Sequence, residues 1–92
     1  MENHIESFFN RCKELIGQRQ IEYAPPNVNI TRIARSWSEF LGIAVSPYDV
    51  CVMMTMVKLS RLCNGYHQDS LEDAASYMAL ASLLSEIGRA HV

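Results

Sequence analysis

SPYDVCVMMTMVKLSRLCNGYHQDSLEDAASY, residues 46–77, sets an apolar run, a charged turn and the start of a second amphipathic run side by side. The first half carries its own start signal. Ser46 can accept a hydrogen bond from the first helical turn, Pro47 fits the first helical position, and Asp49 complements the positive end of the dipole. A helix is predicted from Pro47 to about Cys63 (helix three). Val50, Cys51, Val52, Met53, Met54, Met56, Val57, Leu59 and Leu62 surround it almost completely, as suits a central helix or one shared with another subunit. Its methionines also suit an adaptable binding surface, a filled core being the more ordinary explanation. Asn64, Gly65 and Tyr66 then break the pattern. Asp69 followed by Glu72 resembles a capping box, so helix four is predicted over residues 70–88. Leu71, Ala74, Ala75, Met78, Ala81 and Leu84 form its packing face, and Tyr77, Leu80, Leu83 and Ile87 a second apolar row.

Upstream, Ile5, Phe8, Phe9, Cys12, Leu15 and Ile16 recur at helical steps, which predicts an amphipathic helix one over residues 2–17 with Gly17 as its stop. Residues 18–29, QRQIEYAPPNVN, lack a helical period, and Pro25 with Pro26 opposes a helix across their centre, so a loop is expected. Tyr23 beside those prolines could wall a ligand site, or could tuck under the bundle with Ile21. Asn29 can cap helix two, residues 30–41, whose stripe is Ile30, Ile33, Ala34, Trp37, Phe40 and Leu41, with Gly42 ending it. The expectation is an all-α fold, a compact bundle of about four helices in one domain spanning residues 1–92, with helices three and four as a central hairpin.

Composition narrows the function classes. The chain has 92 residues, 49% of them hydrophobic, enough for one small core and too few for two. Self-association into a homo-oligomer would add stability. Eight basic and ten acidic residues, net charge -2, form no long block, so non-specific nucleic-acid binding is not favoured. Cys12, Cys51 and Cys63 lack metal-ligand spacing and are expected as buried thiols in a reducing cytosol. No leader pattern is visible, and the apolar run Val50 to Val57 is far too short to span a bilayer, so a soluble cytoplasmic protein is expected.

Chemistry concentrates at the turn between helices three and four. Lys58 and Arg61 close helix three, and Asp69, Glu72 and Asp73 open helix four, with Tyr77 one turn beyond Asp73. In an antiparallel hairpin the two basic residues approach the acidic end. One reading is a structural ion pair plus a cap. The other is an anion pocket, in which Lys58, Arg61 and the free N–H groups at Asp69 and Ser70 hold a phosphate while Tyr66, His67 or Tyr23 covers a base or ribose. Catalysis has less support, since His4, His67 and His91 are scattered and no nucleophile has a base at motif spacing. No metal site and no cofactor are expected.

Tyr23, Pro25 and Pro26, then Trp37 with Leu41 and Gly42, Asp49-Val50, Lys58 with Arg61-Leu62, and Asp69-Ser70 with Asp73 and Tyr77, taken in order, resemble a family of small uncharacterised proteins of tailed phages and prophages. The resemblance covers about residues 23–84 and leaves helix one outside. The pattern is also distantly similar to the MazG-type all-α nucleotide pyrophosphohydrolases, whose helices carry Glu-x-x-Glu and Glu-x-x-Asp magnesium motifs. This chain departs from them, because Ser70 stands where the first acid of the second motif would be, Asp73 is its only matching acid, and the first motif is missing. The resemblance implies a phage or prophage protein in the host cytoplasm. Two readings of its work follow: a non-catalytic binder of a nucleotide-like or other phosphate-bearing small molecule, of the kind that sequesters host defence signals, or a protein-interaction module acting on itself or on a host protein. A third, a MazG-like pyrophosphohydrolase, implies magnesium-dependent pyrophosphate release that Asp73→Asn abolishes.

Overall fold

A computed structural model describes residues 3–22 and 26–89, and among them the regular structure is entirely helical. Four α-helices follow one another: α1 (His4–Glu22), α2 (Pro26–Leu41), α3 (Pro47–Arg61) and α4 (Gln68–Arg89), with a short 3-10 turn at Leu62–Asn64. Tyr23 and Pro25 lie outside the described residues.

α3 begins as its sequence dictates. The Ser46 hydroxyl accepts the Asp49 N–H at 3.0 Å and the Asp49 carboxylate accepts the Ser46 N–H at 3.0 Å, a reciprocal capping box with Pro47 in the first turn. Gly42 ends α2 in a left-handed conformation, φ 72°, its N–H donating to the Ser38 carbonyl at 2.9 Å. Asn3 caps α1, its side-chain oxygen accepting the Glu6 N–H at 2.8 Å.

Two expected boundaries give way. Helix one does not stop at Gly17 but continues to Glu22, and α2 starts at Pro26 rather than after Asn29. A glycine inside a helix costs only about 1 kcal/mol relative to alanine, which neighbouring turns offset, so it does not compel a stop. Pro26 opens α2 because its ring fixes a helical φ and the first turn needs no N–H from it. Most of the expected loop is therefore helix. A Cβ added at Gly17 meets nothing within 4 Å. Gly17→Ala is accordingly expected to raise unfolding stability by about 0.4–1 kcal/mol, read from chemical denaturation. A lower stability would mean that α1 is interrupted there.

α3 and α4 form the most extensive pairing, α1 packs on α4, and α2 packs on α3. The order across the fold is thus α1, α4, α3, α2. The core where they meet contains Ile30 and Ala34 from α2, Val50 and Cys51 from α3, and Leu80, Ala81 and Leu84 from α4, with Trp37 and Tyr77 packed against it. Small residues let α4 approach closely, as Ala74 and Ala81 are both buried. Met78 and Leu83, expected on apolar rows of helix four, are exposed instead. Burial pushes the Cys51 thiol up to about 11, which keeps it protonated and unreactive. Cys12 is buried as expected, whereas Cys63 is exposed, in the 3-10 turn Leu62–Asn64, which buries no residue.

Candidate functional site

The hairpin does bring opposite charges together. Lys58 Nζ lies 3.2 Å from Asp73 Oδ2, and the two side chains are only 13% and 17% exposed, so this pair is largely withdrawn from water. Arg61 stays exposed at the end of α3. Around the turn, Tyr66 and His67 are exposed and the Tyr66 hydroxyl donates to Gln68 Oε1. The His67 carbonyl accepts the Leu71 N–H at 3.2 Å, so α4 starts at Gln68, two residues before Ser70. Ser70 is buried, Asp69 is exposed, and Tyr77 lies against the core. The nine sequence candidates therefore separate: Lys58 and Asp73 meet, Ser70 and Tyr77 turn inward, Arg61, Tyr66, His67 and Asp69 face solvent, and Tyr23 falls outside the described residues.

Glu72 corrects the expected capping box. Its carboxylate accepts from Gln68 Nε2 at 3.1 Å and faces Arg11 Nε at 3.8 Å, and the residue is 5% exposed. Arg11, exposed on α1 and 3.3 Å from Glu14 on the same helix, thus also reaches α4. The Glu72 carbonyl accepts from Ser76 Oγ at 2.8 Å and from Cys12 Sγ at 3.5 Å, which fixes α1 on α4. Between these helices lies a cleft of about 220 Å³ lined by Arg11, Leu15, Asp69, Glu72 and Asp73. Its three carboxylates are faced by the Arg11 guanidinium and, at Asp73, by the Lys58 ammonium, which leaves one negative charge in excess and no surplus positive charge to draw a phosphate. Among the described residues no group of three or more His, Cys, Asp or Glu is arranged to hold a metal ion.

A second site is apolar. α3 buries Val50, Cys51 and Thr55, while Met53, Met56, Val57 and Leu59 are exposed. At about 100° per residue, Val52, Met53, Met56 and Leu59 fall on one outward face between Asp49 and Ser60. That face continues into the α2–α3 elbow, where Phe40 is 88% and Ile43 63% exposed. The elbow is held in shape by Ser38, whose hydroxyl accepts the Val45 N–H at 2.8 Å and donates to the Ala34 carbonyl at 2.7 Å. Two depressions share Leu41 and Met53 there. One, of about 230 Å³, is walled by Trp37 and Phe40. The other, of about 300 Å³, is walled by Ile43, Ala44, Val45, Tyr48 and Val52, with the Asp49 side chain at its edge. The all-round apolar pattern of helix three was the available signal, but periodicity alone does not say which side stays uncovered.

Residues 7–85 match a family described as a domain of unknown function, DUF6378. The chain belongs to the DUF6378 family. The match includes most of α1, which the sequence resemblance had left outside. Proteins similar to the chain occur in mycobacteriophages. The chain is 40% identical over 74 residues to the Gene 55 protein of Mycobacterium phage L5, an alignment covering 77% of this chain and 47% of the relative. It is 34% identical over 83 residues to the Gene 55 protein of Mycobacterium phage D29, covering 88% and 55%. The chain thus spans about half the length of the curated relatives it matches. No solved structure is significantly similar to it. No described helix is long and apolar enough to cross a membrane.

Proposed function

We propose that this DUF6378 chain is a non-catalytic protein-interaction module that docks through the outward face of α3 and the α2–α3 elbow. The observation that carries this reading is the exposure of Phe40, Ile43, Met53 and Met56 on one contiguous, largely apolar surface in which Asp49 is the charged residue lining the depressions. Water-facing helices seldom carry such a stripe, and large exposed apolar patches mark docking sites. Aromatic residues and methionine are the types enriched in the centres of interfaces. The partner is the chain itself or a host protein.

The charged turn gives less support to a phosphate-bearing or nucleotide-like ligand. Lys58 is already engaged by Asp73 at 3.2 Å, and the neighbouring cleft is acidic. A pyrophosphohydrolase would need several convergent carboxylates to hold magnesium. Here Glu72 is engaged by Arg11 and Gln68, and Asp73 by Lys58.

Photo-crosslinking separates these accounts. A benzophenone amino acid in place of Phe40, in cells expressing the chain, is expected to give a discrete protein adduct. The same group in place of Tyr66, beside the charged turn, is expected to give none. Equal yields at both positions, or no adduct at position 40, would show that the elbow is not a docking surface.

A further inference from the structure

We infer that α1 is a releasable strap, which leaves α4 while α2, α3 and α4 stay folded, and that the Arg11–Glu72 contact is its latch. The inference does not depend on the docking reading, which concerns α2 and α3.

Burial is the first support. The buried cluster is drawn from α2, α3 and α4, with Ile16 of α1 packed at its margin. Among the described side chains of α1, Cys12 alone is buried, Phe8, Leu15 and Ile16 are partly covered, and Ile5 and Phe9 are 68% and 56% exposed. Local opening draws on segments that bury little apolar surface, and these open before the fold as a whole. Helices in water owe most of their stability to packing, so α1 has little to keep it helical once it is off α4.

Charge is the second support. Glu72 is 5% exposed, and withdrawing a carboxylate from water is costly unless it is closely paired. The Gln68 amide donates to it at 3.1 Å, but Gln68 belongs to α4 and stays with Glu72 after release. Arg11 Nε is 3.8 Å away on a side chain that is 48% exposed, so water screens the attraction. Arg11 also keeps Glu14 of its own helix at 3.3 Å, and the Cys12 thiol, a weak donor, reaches the Glu72 carbonyl only at 3.5 Å. Docking therefore sets the apolar contacts of Cys12, Leu15 and Ile16 against the burial of one carboxylate. Arg11 decides that balance, because without it a bare charge is trapped beneath α1. Release hydrates Glu72 and opens the cleft of about 220 Å³, since its walls Arg11 and Leu15 leave with α1.

The cysteines of the full chain report the release. Cys63 is exposed, Cys12 lies between α1 and α4, and Cys51 is in the core on α3. Short pulses of N-ethylmaleimide under native conditions, read site by site by peptide mass spectrometry, give the three rates, with Cys63 as the open thiol. Cys12 is expected to react more slowly than Cys63 yet at least about ten-fold faster than Cys51, which needs the whole fold to open. Equal rates at Cys12 and Cys51 would mean one shared opening and overturn the strap, and this comparison requires no variant to fold. Ala34→Gly, on α2, should speed Cys51 roughly five-fold and leave Cys12 unchanged, because its cost falls on the three-helix body whether or not α1 is docked. A Cys12 rate that rises with that of Cys51 overturns the strap as well. Arg11→Met should speed Cys12 roughly five- to thirty-fold, and adding Glu72→Gln, which removes the trapped charge, should reverse most of that gain. An unchanged Cys12 rate in Arg11→Met, or a double variant as open as the single one, overturns the latch.

Discussion

Leu84→Ala is expected to lower the unfolding free energy by about 2–5 kcal/mol, a large fraction of what a domain of this size possesses. Leu84 is buried on α4 in the cluster shared by Ile30, Ala34, Val50 and Cys51, so it joins the three helices of the core. Replacing its isobutyl group with a methyl takes away buried apolar area and leaves a cavity that a close-packed core fills only in part. Urea denaturation followed by helical ellipticity measures the loss. A change below about 1 kcal/mol would place Leu84 outside the core, since exposed substitutions fall in that range.

The second large effect concerns Lys58. Lys58→Met keeps the side-chain stem and removes the cation opposite Asp73, and should destabilise the chain by about 1–3 kcal/mol, the range for a partly buried charged group that loses a hydrogen-bonding partner. Combined with Asp73→Leu, the loss should be smaller than the sum of the single effects, because the two residues are in contact. A coupling of roughly 0.5 kcal/mol or more is expected from denaturation of the four proteins in the cycle. Additive losses would mean that Lys58 and Asp73 act independently, and would return Lys58 to the set of groups able to meet an anion.

How much of the fold is legible in the sequence depends on the range of the interaction. The start of α3 was legible, because Ser46, Pro47 and Asp49 satisfy one another within a single turn. So were the end of α2 at Gly42 and the all-helical class, which rest on local conformation and on periodicity. The connection before α2 is not legible in this way, since Gly17 and Pro26 are weak local signals that helix continuation and a proline-led first turn override. Arg11 with Glu72 was invisible for a different reason. They are far apart in sequence, and nothing in the spacing of either helix specifies the rotation that brings α1 onto α4.

The Lys58–Asp73 pair was anticipated in direction, as the structural alternative to an anion pocket, because a hairpin of helices three and four must bring those helix ends together. The outward face of α3 was seen as apolar without being seen as exposed. Periodicity reports that Val50 and Met56 are both hydrophobic; only the placement of α2 and α4 decides that Val50 is buried and Met56 left 61% exposed.

Methionine oxidation in cells expressing the chain tests most directly whether that face works as a docking surface. Met56 and Met78 are both exposed in the chain itself, on α3 and α4 respectively, and thioether oxidation follows access to solvent. With the α3 face covered, Met56 and its neighbour Met53 should be oxidised several-fold more slowly than Met78, and Phe40→Asp should remove that protection. Oxidation of Met56 as fast as Met78 would show that the face stays open to water, and that the chain does not act through it.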